Sequence, residues 1–422
     1  MANLRIRIRG YDETLPKARS LQLKIGEKEI ITPRRAFTLN DSSSESRLIK
    51  EDKLRGINEI YKSITKEKLD NINSDPKSEI EFGKKLRYTF DKSNMEKELN
   101  LLIFSYENKN AKKGDFYNRP PTDSEIRDLC ILLSHPYADT IIPPRLPQLT
   151  GLDYMNFLKK FIEILKSFNS KAEIMGFLPF IARNELIQLT DFYKNEGIIS
   201  FIVDFEGHNP IDSFARVMDV NNYVNDIQKE YKEDCYVHAL NVPFTRIKHK
   251  TDVTPAKDIL TFTLGIDSFG TSHIPQKLPL NVIQIIQQRK KTGRFIPWRM
   301  TSEFSNRETL NTERMNTESM NQQEVFRVFN RKDYGYYRSD IKNLKSSIMD
   351  NSIINFDQIY SNSFSDNKLK SIRKAFNVES QGLEALEIQQ KIHENVLVNY
   401  INQKKYAKDN FRTIIKVNSG LE

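Results

Sequence analysis

Gly197-Ile198-Ile199-Ser200-Phe201-Ile202-Val203-Asp204-Phe205-Glu206 is the stretch that decides the fold. Ile198 to Val203 is apolar almost throughout, which suits a strand buried on both faces. The segment before it places Leu186, Ile187, Leu189 and Phe192 at helical spacing, and Gly197 stands where a C′ glycine ends a helix. Asp204 and Glu206 follow at the strand's C-terminal end. Helix, glycine, buried strand and terminal carboxylates together read as part of a βαβ unit.

The same pattern repeats outward from this stretch. Short β-rich runs occur at Ala138–Ile142, Glu173–Leu178, Cys235–Val242 and Gly265–Thr271. Anchored on Asp139, Ile174, Ile202, Val237 and Ile266, the steps are 35, 28, 35 and 29 residues. Strands alternating with helical segments at this spacing imply a parallel sheet. Thr150 with Asp153 is a capping-box-like pair ahead of a helix carrying Met155, Leu158, Ile162 and Leu165 on one face.

Composition sets the outer bounds. The chain has 422 residues, 65 basic against 56 acidic, for a net charge of +9. That balance favours an anionic partner, with nucleic acid the natural candidate, although a Lys-, Asn- and Ile-rich background gives a similar excess. Cys130 and Cys235 are the only cysteines, too few for a disulfide framework or a cysteine zinc cluster. The six histidines, at 135, 208, 238, 249, 273 and 393, have no zinc-motif spacing. No metal and no cofactor are expected. There is no signal peptide and no apolar run of membrane-spanning length, so a cytoplasmic protein without a membrane partner is expected.

Toward the N-terminus, Leu4, Ile6 and Ile8 alternate with Arg5, Arg7 and Arg9, a period-two strand with a basic face. Leu21–Ile25 and Glu29–Ile31 flank a turn at Gly26. Residues 41–120 change character and read as an insertion or cap, with a short amphipathic helix at Ile57, Ile60, Tyr61 and Ile64 and a strand at Leu99–Phe104. Residues 121–290 hold the repeated core, and 291–422 a polar connector and a mainly helical region. Within 287–299, Arg289, Lys290, Lys291, Arg294 and Arg299 interleave with Phe295 and Trp298. Clustered cations with aromatics suit phosphate contact and base stacking, or a solvated helix end with one buried tryptophan.

The C-terminal ends of parallel strands are where barrel enzymes place their working groups. There the sequence offers Asp139, Asp204 and Asp267 as catalytic candidates. Arg145, Glu206, Gly207, His238, Gly270 and His273 are the substrate-binding candidates. Taken singly, each carboxylate also reads as a helix cap or an ion pair.

Several stretches resemble the tRNA-guanine transglycosylase family. Gly26-Glu-Lys-Glu-Ile-Ile-Thr32-Pro33 with Ala36-Phe37 is similar to that family's opening hairpin. Ala138-Asp139-Thr-Ile-Ile, His238-Ala239-Leu240, Pro255–Leu260 and Gly265-Ile266-Asp267-Ser268-Phe269 are similar to its later strands and helix. The resemblance implies an α/β fold with a (β/α)8 TIM-barrel-like core, an N-terminal insertion and a mostly helical C-terminal region. It also implies exchange of guanine for a 7-deazaguanine in tRNA or DNA through a carboxylate nucleophile, in a homo- or hetero-oligomer. The family's nucleophilic aspartate falls on Gly270, which has no side chain. Its zinc cluster has no counterpart. Two other readings therefore stand beside base exchange: a non-catalytic nucleic-acid-binding subunit, and an unrelated barrel hydrolase using Asp204, Glu206 and Asp267.

Overall fold

The computed structural model describes residues 4–40, 49, 52–107, 119–149, 151–168, 173–245, 253–274, 284, 288, 302–306, 311–315, 366–405 and 407–420. An N-terminal run gives β1 (Arg5–Tyr11), β2 (Arg19–Ile25), β3 (Lys28–Ile31), β4 (Arg34–Arg35) and β5 (Phe37–Thr38). Next come β6 (Ile57–Thr65), α1 (Lys66–Ser74), α2 (Pro76–Phe90), β7 (Leu99–Glu107), α3 (Asp123–Leu133) and β8 (Thr140–Ile141). They are followed by α4 (Gly151–Ser167), β9 (Glu173–Ile174), β10 (Gly176–Leu178), α5 (Arg183–Asn195), β11 (Ser200–Asp204), α6 (Phe214–Tyr231) and β12 (Tyr236–Leu240). Then come β13 (Val253–Pro255), β14 (Ser268–Phe269), β15 (Ser302–Asn306) and β16 (Asn311–Met315), and finally α7 (Asp366–His393), α8 (Leu397–Gln403) and α9 (Lys408–Ser419).

Local chemistry explains many of these boundaries. Thr65 caps α1, accepting from the Lys68 N–H at 3.2 Å. Asp75 caps α2, where Pro76 occupies the first turn and has no N–H to satisfy. Thr122 and Glu125 form a reciprocal capping box on α3. Gly197, at φ 71°, follows α5 in the left-handed region. The expected Thr150 cap lies outside the described residues.

The parallel strands are the core, and all of β11 is buried. Phe201 lies opposite Gly176 of β10 and Val237 of β12, both in parallel register. The sheet runs β10-β11-β12-β14-β4. A second parallel set runs β5-β6-β7, and a third pairs β8 with β9. Full burial of each Ile, Leu, Val or Phe in such strands contributes about 1.5–3 kcal/mol before chain entropy is set against it.

The expectation of a (β/α)8 barrel is corrected by this sheet arrangement. The parallel strands divide into five-, three- and two-stranded sheets rather than one closed, continuous ladder. Beside β8 the ladder with β7 gives way to an Asp139 N–H bond to the Asn100 carbonyl before that strand and one bridge beyond it, Ser105 with Arg145. Pro143 and Pro144 precede that bridge, and neither has an N–H to continue a ladder. The short amphipathic helix expected at Ile57, Ile60, Tyr61 and Ile64 is also corrected. Residues 57–65 form a strand, not an amphipathic helix, and pair along their whole length with the buried β7. Tyr61 and Lys62 are half-buried and Ser63 exposed at the outer end, which gave the false helical period.

An antiparallel sheet of β1, β2 and β3 caps the N-terminal ends of the parallel strands. Arg19 of β2 reaches through it to Asp267 at 2.8 and 2.9 Å and to the Cys235 carbonyl at 2.8 Å. The C-terminal helices fasten the same region. Gln389 donates to the Thr32 carbonyl, Asp12 accepts from the Leu397 N–H, and Asn418 accepts from the Lys17 N–H. Among the described residues no helix is long and apolar enough to cross a membrane.

The Arg19–Asp267 pair is buried on both sides, at 8% and 1% exposure. Removing one partner strands the other charge away from water, which typically costs about 3–5 kcal/mol. Asp267→Asn is expected to lose stability on that scale in urea titrations. Lys85→Ala, which breaks an exposed pair with Glu81, should change stability by less than about 1 kcal/mol. Equal effects from the two would contradict the structural role of the Arg19 contact.

Candidate functional site

Glu59 is the third residue of β6, lying between Thr38 and Leu101 in the ladder. Its side chain is fully buried. One carboxylate oxygen accepts from His238 Nε2 at 2.7 Å and the other from His273 Nε2 at 2.8 Å. A Cβ added at Gly270 would stand 1.6 Å from Glu59 Oε1. The missing side chain at 270 is therefore the space in which the Glu59 carboxylate lies. Burial alone would push this carboxyl up, but the hydrogen bonds and charge of the two imidazoles overcome it and hold it down at about 2.

Each imidazole is itself positioned. His238 Nδ1 pairs with Ser268 Oγ at 2.7 Å, and that hydroxyl pairs with the Tyr236 hydroxyl at 2.6 Å. His273 stacks on Tyr61 with ring centroids 4.3 Å apart and planes within 2°. Its backbone N–H donates to Asn241 Oδ1 at 2.9 Å.

Asn241 carries the network to a second carboxylate. Its Nδ2 donates to Asp204 Oδ1 at 2.8 Å. Asp204, at the end of β11 and 1% exposed, also accepts from the Glu206 N–H at 2.9 Å and from Arg145 Nε at 2.6 Å. Arg145 NH2 reaches the more exposed Glu206 at 3.0 Å. Burial works against the Arg145 cation, and Asp204 more than offsets it, so Arg145 is held above its ordinary value. Glu206 and Gly207 have φ of 47° and 81°. The turn they make is followed by His208, which stacks on Phe180 with centroids 5.1 Å apart. Phe180 is itself partly exposed just beyond β10, under the Arg216 guanidinium.

Of the residues expected to form the site, Arg145, Asp204, Glu206, Gly207, His238, Gly270 and His273 lie along this network or against it. Asp267 does not, because it faces Arg19 at the opposite strand ends. Asp139 is also elsewhere, paired with Lys28 at 2.6 and 2.7 Å and accepting from the Asn100 N–H. Arg289, Lys290, Lys291, Arg294, Trp298 and Arg299 lie outside the described residues. Glu59 was the residue that sequence reasoning missed. Reading 57–65 at period two would have shown an acid inside a buried strand, a signal for a partnered charge. A cleft of about 360 Å³ opens instead among Lys28, Arg34, Arg55, Gly56 and Glu98, at the far strand ends, and shares no residue with the network. Among the described residues no cluster of His, Cys, Asp or Glu is placed to hold a metal ion.

Chemically, the arrangement offers an ionised carboxylate beneath an imidazole and a second carboxylate clamped by a guanidinium. Asp204 sits at the C-terminal end of its strand, whereas Glu59 lies within β6, six residues before that strand ends.

No family model matches the chain, and no curated protein matches it. Among solved structures it is similar to the enoyl reductase domain of MlnA from the macrolactin biosynthesis cluster of Bacillus amyloliquefaciens. That likeness has 9% identity over 87% of this chain and 95% of that chain, with a TM-score of 0.30, and carries no argument about chemistry. Nothing in these comparisons ties the chain to the tRNA-guanine transglycosylases, and the separate parallel sheets do not have the closed barrel that resemblance required. The resemblance is therefore withdrawn.

Two predictions follow from Glu59. Gly270→Ala forces the carboxylate aside and should destabilise the protein, while Glu59→Ala in the same chain should relieve part of the loss; purely additive effects in a double-mutant cycle would refute the contact. Glu59 titrates lower folded, at about 2, than a free glutamate at about 4.3. Its stabilising contribution is thus complete above pH about 4.3 and is lost as pH falls through about 2. Glu59→Gln should flatten the acid limb of the stability–pH curve over that window.

Proposed function

We propose that this chain is a glycosyltransferase acting on nucleic acid, exchanging a guanine base for a 7-deazaguanine through a carboxylate nucleophile. The observation that supports it is the continuous link from Asp204 through Asn241 and His273 to Glu59. Base exchange needs a nucleophile at the sugar carbon and a separate group to move protons on the base. Asp204 takes the first role and His273 the second.

In the first half-reaction Asp204 attacks C1′ as the glycosidic C–N bond breaks, giving an ester to the sugar. The proton carried by His273 goes to the departing base. In the second half the incoming base gives its proton to His273 and attacks C1′, releasing the Asp204 carboxylate. Glu59 orients His273 through its bond to Nε2. Arg145 keeps Asp204 aligned and receives its charge back at the end. The stacked Phe180 and His208 give the rim an aromatic face suited to a base pulled from its stack. The excess of cations, +9 overall, suits a polyanionic acceptor.

Incubation with tRNA or duplex DNA and labelled guanine or 7-deazaguanine tests the reading directly. Asp204→Asn should abolish incorporation while nucleic-acid binding remains; because it also weakens the buried pair with Arg145, folding of the variant is checked by its urea titration. Glu59→Gln, acting through His273, should lower the rate by about 10²–10⁴ and change its pH profile. Full activity in Asp204→Asn would overturn the assignment. Base release without incorporation would favour a hydrolase, and binding without any reaction a non-catalytic subunit.

A further inference from the structure

The arginine strand at the N-terminus is not used by the site. Among the described residues β1 pairs only with β2, at the edge of its sheet. Arg5, Arg7, Arg9 and Tyr11 are exposed along one face, while Ile6 and Ile8 turn inward against the core. Arg9 lies at a register shift, and the bulge leaves it on the exposed row. Alternate residues of a strand stand about 6.8 Å apart, so the three guanidinium groups span about 14 Å. Among the described residues none of the three takes part in an ion pair or a side-chain hydrogen bond.

One charge on an edge strand is enough to discourage pairing with another chain. Three of one sign go further, and Arg5 lies directly opposite Lys24 of β2. Like charges facing across a ladder destabilise it. An anionic partner turns that cost into affinity. The row matches a regular line of negative charge, and a nucleic-acid strand rising about 3.4 Å per phosphate presents about four phosphates over its length.

We propose that the exposed face of β1 is a docking surface for the phosphodiester backbone of nucleic acid, gripped by Arg5, Arg7 and Arg9. It lies apart from the candidate site. The sheet that carries it covers the N-terminal strand ends, where Arg19 holds Asp267 and the Ile8 N–H donates to Asp234 at 2.7 Å. Asp204 and Glu206 emerge at the other ends. The surface therefore holds backbone away from the reacting base and reads no sequence.

The test measures binding of the full chain to a fluorescent random-sequence duplex DNA over a range of NaCl concentrations. Each phosphate contact contributes about 0.9 to the slope of log affinity against log salt. The triple variant Arg5→Ala/Arg7→Ala/Arg9→Ala should lose about 2–3 from that slope. The triple lysine variant keeps the charge and should keep the slope, which separates charge loss from a folding defect. An unchanged slope in the alanine variant, or no salt-dependent binding by the parent chain, would overturn the proposal. The proposed reaction is judged separately. Exchange activity with an unchanged slope removes this surface alone, and a flattened slope without exchange removes only the catalytic reading.

Discussion

The carboxylate of Glu59 is fully buried, and that single constraint organises the centre of the molecule. A charge there is tolerable only if donors surround it. His238 and His273 supply them from β12 and from the loop after β14, so three separated segments of the chain converge on one side chain. Gly270 must then be a glycine, because any Cβ would occupy the carboxylate's place. Ser268 and Tyr236 are polar within buried strands because His238 requires a partner on its other nitrogen.

The parallel strands have two ends with different uses. At the N-terminal ends, Arg19 with Asp267 and Lys28 with Asp139 pin the hairpin sheet and close the layer. Those carboxylates are consumed by structural partners. At the C-terminal ends, Asp204 is also paired, but its partner Arg145 is shared with the exposed Glu206, and the turn beyond it opens on stacked aromatics.

The break between β7 and β8 has a local cause. Pro143-Pro144 removes two donors where a ladder would join β7 to β8, and Arg145 bridges the gap through its backbone while its side chain turns to Asp204. The same short segment thus interrupts the sheet and supplies the guanidinium of the candidate site.

Much of the parallel core was legible in the sequence. The runs at 173–178, 198–203 and 235–242 are apolar enough to form doubly buried strands, and a regular spacing of about one βα unit has no other economical explanation. Asp204, Arg145, Glu206 and His273 were legible as candidates because they stand at or beyond strand ends, and His238 because it is a histidine inside a buried strand. The role of Glu59 was not legible, since its partners lie 179 and 214 residues away and nothing local announces them. Nor could sequence separate Asp267 and Asp139 from Asp204: all three are aspartates beside β-rich runs, and only the packing of β2 and β3 showed that Asp267 and Asp139 are held by cations of the hairpin sheet while Asp204 pairs with Arg145. Periodicity is a local property and so determines strands and helices. Pairing of buried charges is a long-range property, and only the tertiary structure decided it.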